Sequence, residues 1–161
     1  VLAQLAKDGE GFTARFEREY PHAPEDVWAY LTDNDKLQVW FSELRVEELG
    51  QGGRLTFDMG DGTFETMSIL DYEEGSVLEY VWGEDVVRFE LSPVAGGTRL
   101  LLIEKISALT PHTPKDLAGW HVCLDVVGAL LDGRDIPYRK EMWEKEHAEY
   151  SALTDKLLQS K

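Results

Sequence analysis

The chain has 161 residues, of which 31 are acidic and 16 basic, for a formal net charge of -15. Such a field repels phosphate backbones and anionic bilayers, so neither nucleic acid nor a membrane is expected as a partner, and the commoner meaning of an acidic surface is solubility. An apolar share of 43% with 11% aromatic residues predicts one globular domain that buries a core without metal or disulfide staples.

Cys123 is the only cysteine, which rules out an internal disulfide or a thiolate cluster and fits a reducing, cytoplasmic setting. Residues 1–10 have neither the basic start nor the apolar run of a signal peptide, and nowhere do about 18 apolar residues follow one another. The first residue is Val1 rather than methionine, so a trimmed segment stays open.

From Gly11 to Tyr20, Phe12, Ala14 and Phe16 alternate with Thr13, Arg15 and Glu17, the period of a strand, and Pro21 stops it. Pro24 then suits a first helical position, Glu25 and Asp26 suit the positive helix end, and Val27, Trp28 and Leu31 share one face. Asp33, Asn34 and Asp35 can cap a second short helix in which Leu37, Trp40 and Phe41 keep the i, i+3, i+4 spacing.

Turn signals recur at Gly50-Gln51-Gly52-Gly53, Asp61-Gly62, Glu74-Gly75, Gly83-Glu84-Asp85 and Gly96-Gly97. That rhythm predicts an antiparallel meander with strands near 43–48, 53–59, 63–72, 77–82, 85–92 and 97–106. One face of the 63–72 strand has Phe64, Thr66, Ser68 and Leu70 and the other Glu65, Met67, Ile69 and Asp71. Mixed faces of this kind suit either a cavity wall or an imperfect face near a sheet edge.

After Pro111 and Pro114, Leu117, Trp120, Leu124, Val127 and Leu131 form the stripe of a long helix over 114–131. Asp132-Gly133-Arg134-Asp135 ends it, and Pro137 opens a charged helix over 137–158 whose apolar edge is Trp143, Tyr150, Leu153 and Leu157. That edge fits docking on the chain itself or on a second subunit equally, so both monomer and homodimer are open.

Tyr20-Pro21-His22-Ala23-Pro24, then Val27-Trp28, Leu31-Thr32 and Trp40-Phe41, resemble the entry of the bacterial homologues of the Hsp90-ATPase activator C-terminal domain. Gly96-Gly97-Thr98-Arg99-Leu100 and Gly119-Trp120-His121 with Leu124 resemble the same group, which belongs to the START/Bet v 1-like superfamily. The resemblance spans roughly residues 11–131. It implies a helix-grip fold of class α+β, in which a curved seven-stranded antiparallel sheet holds the 114–131 helix, with two short helices after the first strand and an added C-terminal helix. The whole reads as a single domain over 11–158, with a core over 11–131, an extension over 137–158 and an N-terminal segment over 1–10.

Across that superfamily the cavity between sheet and helix holds lipids, sterols, polyketides and other apolar molecules. Some relatives are cyclases or aromatases, and the namesake group stimulates the Hsp90 ATPase through a two-domain protein. The expected function is therefore non-catalytic binding of a small apolar or amphipathic ligand. The alternatives are a chaperone-docking module tied to stress and a cyclase- or hydratase-like enzyme.

Trp40, Phe64, Tyr80, Trp82, Phe89, Trp120 and Leu124 are the candidate apolar contacts, with Glu104 and His121 as polar anchors and weak catalytic candidates; for any one aromatic core packing is the commoner role, while the aromatic set together fits a partly open cavity as well as a core. Glu104 follows Leu100 and Leu102 on one strand face, yet the favoured expectation is that the strand bulges or ends first and exposes it, because glutamate is rarely buried whole. His121 and Asp125 are four apart on the long helix, the spacing of a surface pair. His22, His112, His121 and His147 lack ligand spacing and no phosphate loop or nucleophile elbow occurs, so no metal and no cofactor is expected.

Overall fold

The computed structural model describes residues 2–134, 136–137 and 139–159. In chain order it contains β1 (Gln4–Asp8), β2 (Gly11–Tyr20), α1 (Pro24–Thr32), α2 (Asn34–Trp40), β3 (Leu44–Glu48), β4 (Arg54–Asp58), β5 (Phe64–Glu73) and β6 (Val77–Trp82), then β7 (Asp85–Val94), β8 (Gly97–Ile106), α3 (Thr113–Leu131) and α4 (Arg139–Gln159). The strands form one antiparallel sheet of order β1-β2-β8-β7-β6-β5-β4-β3. The class is α+β with a helix-grip arrangement, but the sheet has eight strands rather than seven. The additional strand, β1, pairs Gln4 with Arg15 and Asp8 with Gly11 around a turn in which Gly9 takes a φ of 63°. Its side chains are mostly exposed, so no alternation marked it; the free edge of β2 organises it instead.

Inward faces follow the period of two. Phe12, Ala14 and Phe16 on β2, Val87, Phe89 and Leu91 on β7, and Leu100, Leu102 and Ile106 on β8 are all buried. β7 continues two residues beyond the expected end, through Pro93, which lies next to the β7–β8 turn where a missing N–H costs little. In β5, Met67 and Ile69 point inward, and a bulge between Ile69 and Asp71 then reverses the parity. Tyr72 thereby packs on Trp28, with ring centroids 5.9 Å apart, while Asp71 meets Arg88 on the outer face at 2.8 Å. The register shift thus accounts for the outward Asp71 and inward Tyr72, while Phe64, Glu65 and Thr66, before the bulge, are exposed at the start of the strand.

Asp33 alone of the three expected capping residues caps α2, accepting from the Asp35 amide at 3.0 Å. Asn34 instead bonds both the N–H and C=O of Val46, at 2.7 and 2.9 Å, and so fixes α2 to β3. α3 is buried nearly all round, because the sheet covers Leu117, Trp120, Leu124 and Val127 while α4 covers the side bearing His121. The C-terminal helix therefore docks within the chain through Glu146, Tyr150 and Thr154, one per turn. Asp135 and Tyr138, which belonged to the expected helix stop and helix start, lie outside the described residues.

The Gly96-Gly97 pair combines two requirements. Gly96 takes a φ of 83°, whereas at Gly97 a Cβ would lie 2.0 Å from the Tyr20 carbonyl oxygen across the β2–β8 pair. Gly119, inside α3, has open space where a Cβ would go. Gly97→Ala is expected to lower stability by about 2 kcal/mol, as forced overpacking does. Gly119→Ala should raise it by about 1 kcal/mol through helix propensity alone. Urea unfolding of both variants checks the pair, and a loss at Gly119 would mean that a contact with that position had been overlooked.

Candidate functional site

A pocket of about 490 Å³ opens where the first turn of α3 faces the β4–β5 and β6–β7 ends of the sheet. Phe57 and Met59 from β4 and the turn after it, Met67 from β5 and Trp82 at the end of β6 form its apolar wall. Thr110, Thr113 and Asp116 line the facing side, and Glu65, Glu84 and Asp85 stand on the rim. Trp82 sits between the pocket and the core: its ring lies 5.8 Å from Phe57, 5.7 Å from Phe41 and 5.0 Å from Trp120. Its Nε1–H donates to Asp116 Oδ1 at 2.9 Å, which locks the indole against the α3 turn.

Behind Asp116 lies Glu104, with none of its surface exposed. The expectation of an exposed Glu104 is overturned: β8 runs unbroken to Ile106, so the period of two carries the side chain inward between Ala14 of β2 and Val87 of β7. No N–H or hydroxyl of the described residues reaches either carboxyl oxygen. Its hydrogen-bonding neighbour is the Asp116 carboxyl, another acceptor, so the contact requires that one of the two groups hold a proton. Burial pushes the Glu104 carboxyl well above the usual carboxylate range, and Asp116 and Asp85 push it the same way. Burial and the neighbouring acids together favour the neutral form of Glu104, which lies behind Asp116 and outside the pocket lining.

Of the sequence candidates, Trp82 lines this pocket directly. Tyr80, Phe89 and Trp120 are buried one layer deeper, in ring contact with Trp82 or with one another. Trp40 is also buried; its Nε1–H donates to the Tyr30 carbonyl at 2.7 Å and its ring reaches the pocket wall only through Phe41. Leu124 is fully buried on α3. Phe64 stands 64% exposed on the outer face of β5, away from the pocket, because the inward residues of that strand are Met67 and Ile69. Asp116, Phe57, Met59 and Met67 were not singled out. An aspartate in a first turn reads as a helix-dipole partner, and nothing in one strand tells which other strand it will face.

The structure also separates Glu104 from His121, which lies on the α4 side of α3. It is buried rather than on the surface, because α4 closes over it. The Ala3 N–H donates to the Tyr150 hydroxyl at 2.9 Å, and the same hydroxyl is hydrogen-bonded to His121 Nδ1 at 2.8 Å. His121 Nε2 faces Glu146 at 3.2 Å and Asp125 at 3.4 Å, and these acceptors favour the tautomer with its proton on Nε2. Arg18 holds Asp125 from the sheet at 3.3 Å. The expected 121–125 pair is present, but inside a network that joins β2, α3, α4 and the N-terminal segment. Cys123 is half-buried, and burial pushes its thiol up to about 12, which leaves it inert at neutral pH.

Burial lowers His121 from 6.5 to about 4, against the opposing pull of Asp125. The unfolded chain therefore takes up a proton at this site that the folded chain refuses, so the contribution of His121 to stability falls as pH drops from about 6.5 towards 4, opposite in sign to that of Glu104. His121→Gln should flatten that slope while lowering stability at pH 7.5. Urea midpoints at pH 4.5 and 7.5 test this, and an unchanged slope would show that His121 is already charged in the folded protein.

A family model described as Activator of Hsp90 ATPase homolog 1-like protein matches residues 21–132, more than half of the chain. Among solved structures, a conserved protein of unknown function from Enterococcus faecalis, EF2215, superposes with a TM-score of 0.85 at 29% identity, covering 95% of this chain and 91% of that one. CalU16 from Micromonospora echinospora gives 0.71 at 22% identity, with 94% of each chain covered. The BPP1335 protein of Bordetella parapertussis gives 0.70 at 24% identity, covering 94% of this chain and 90% of that one. No curated protein matches the sequence. Among the described residues no helix is long and apolar enough to cross a membrane.

Proposed function

We propose that this chain, which belongs to the family described as Activator of Hsp90 ATPase homolog 1-like protein, binds a small apolar or amphipathic molecule in the pocket beside Trp82. The observation that carries the reading is an open space of about 490 Å³ whose sheet-side wall is Phe57, Met59, Met67 and Trp82. That size and lining are those of small-ligand sites, where a few polar groups orient a mostly buried apolar body. The START/Bet v 1-like fold, which commonly accommodates hydrophobic molecules between sheet and helix, supports the same reading.

The walls of the pocket are fixed independently of any ligand. Trp82 is tied to Asp116 and to the Trp120 ring, and Asp85 accepts from both the amide and the hydroxyl of Ser107, at 3.0 and 3.2 Å. A preformed site saves the ordering cost that a collapsing one would incur on binding. Enzymatic use would draw on Glu104 as a proton donor of raised pKa. Docking to a chaperone would draw on the acidic surface, and its affinity would collapse at high salt, unlike binding in an apolar pocket.

Native mass spectrometry of gently purified protein is expected to show a co-purified small molecule, released on denaturation. Ala108, exposed on the pocket lip, can be enlarged without touching the core. Ala108→Trp should lower occupancy of that molecule at least tenfold with an unchanged melting temperature. Full occupancy in Ala108→Trp would move the ligand out of this pocket.

A further inference from the structure

We propose that the molecule bound beside Trp82 is an amphipathic amine, with an aromatic or other apolar body against Phe57 and Trp82 and a protonated nitrogen against Asp116. This deepens the ligand-binding reading and rests on it. Three features point the same way. The lining holds four acidic side chains, Glu65, Glu84, Asp85 and Asp116, against one imidazole, His112, and no lysine or arginine. Glu104, wholly buried and directed at Asp116, offers two carboxyl oxygens that no N–H or hydroxyl of the described residues satisfies. The aromatic faces beside those acceptors favour a cation over a neutral group of the same size.

An ammonium supplies what the place lacks. It brings three N–H donors and one positive charge to a site rich in acceptors, and a charge-assisted bond to Asp116 is worth roughly twice a neutral one. The positive end of α3 favours an anion, and the Asp116 carboxyl in its first turn already takes that place. The amides of Thr113 and Asp116 are already bonded to the Thr110 and His112 carbonyls, and Pro114 has no N–H. A bare metal ion fits no better, since no group of three or more histidine, cysteine or carboxylate ligands converges among the described residues. The apolar wall moreover suits a carbon body rather than a hydrated ion.

A second consequence concerns the proton shared with Glu104. The groups facing that carboxyl are Asp116 from α3, Asp85 from β7 and the apolar Ala14 and Val87 from the flanking strands, with no internal cation to hold it ionised. An ammonium beside Asp116 is such a cation. Its arrival favours loss of the Glu104 proton to the buffer, so amine affinity rises with pH as long as the amine itself stays charged.

The test uses four probes on the full chain, read by isothermal titration at low and at moderate salt. They are 1-naphthylmethylamine, 1-naphthylmethanol, 1-naphthoate and n-butylamine. The amine is expected to bind at least tenfold more tightly than the alcohol, with the naphthoate weakest of the aromatic three. Asp116→Asn should bring amine and alcohol together while leaving the alcohol's affinity unchanged, and Glu74→Gln, exposed in the β5–β6 turn outside the pocket, should change the amine less than threefold. Glu104→Gln should abolish the rise of amine affinity between pH 5.5 and 7.5.

Equal binding of amine and alcohol, or tighter binding of the naphthoate, overturns this inference and leaves the apolar pocket standing. An amine preference that survives Asp116→Asn overturns it in favour of the general acidic field. Butylamine binding as tightly as naphthylmethylamine overturns it in favour of a lysine side chain on a partner protein. Failure of all four probes to bind overturns the small-ligand reading itself, and this inference with it.

Discussion

Antiparallel pairing of β2 with β8 is the constraint from which the rest of the molecule follows. It joins residues 12–20 to residues 98–106, so everything between them must fold back as a sheet and two short helices before the chain can close. The register of that pairing decides what lies inside. A slip by one residue would turn Leu100, Leu102 and Ile106 outward and Lys105 inward, a change that no local propensity could compensate. The close approach at Gly97 and the Tyr20 hydroxyl, which donates to the Leu124 carbonyl at 2.8 Å, fix the register at one end and tie it to α3.

α3 is then held from both sides by different physics. On the sheet side the contact is apolar and aromatic, from Leu117 through Trp120 to Val127. On the α4 side it is a chain of hydrogen bonds from the Ala3 amide through Tyr150 and His121 to Glu146 and Asp125. The first gives most of the burial energy, because apolar area is the larger quantity. The second gives position, since hydrogen bonds and ion pairs are directional and join the N-terminal segment, β2, α3 and α4 at one place. One end of α3 also borders the pocket, so what holds the helix also holds the site.

The Glu104–Asp116 couple is the least economical feature of the interior. Placing a carboxyl beyond the reach of any N–H donor costs stability, and an apolar side chain of similar volume there would stabilise the fold. Its neighbours Ala14, Val87 and Leu102 show that the surroundings are otherwise ordinary core. The couple sets a buried acid directly behind an open aromatic-walled pocket, the kind of placement in which perturbed titratable groups cluster.

The sequence by itself determined the element types, seven of the eight strands, the two short helices, the long helix and the family, because each depends on local alternation, turn chemistry or a contiguous pattern such as Tyr20–Pro24. It could not determine β1, whose side chains are mostly exposed and whose place is set by the edge of another strand. Nor could it separate His121 from Glu104. Both looked inward on their own elements, but α4 covers one and the sheet the other, and the facing of elements distant in sequence is not a local property. Only tertiary structure set Asp116 beside Glu104 and Trp82, through the angle at which the first turn of α3 meets the ends of β6 and β8.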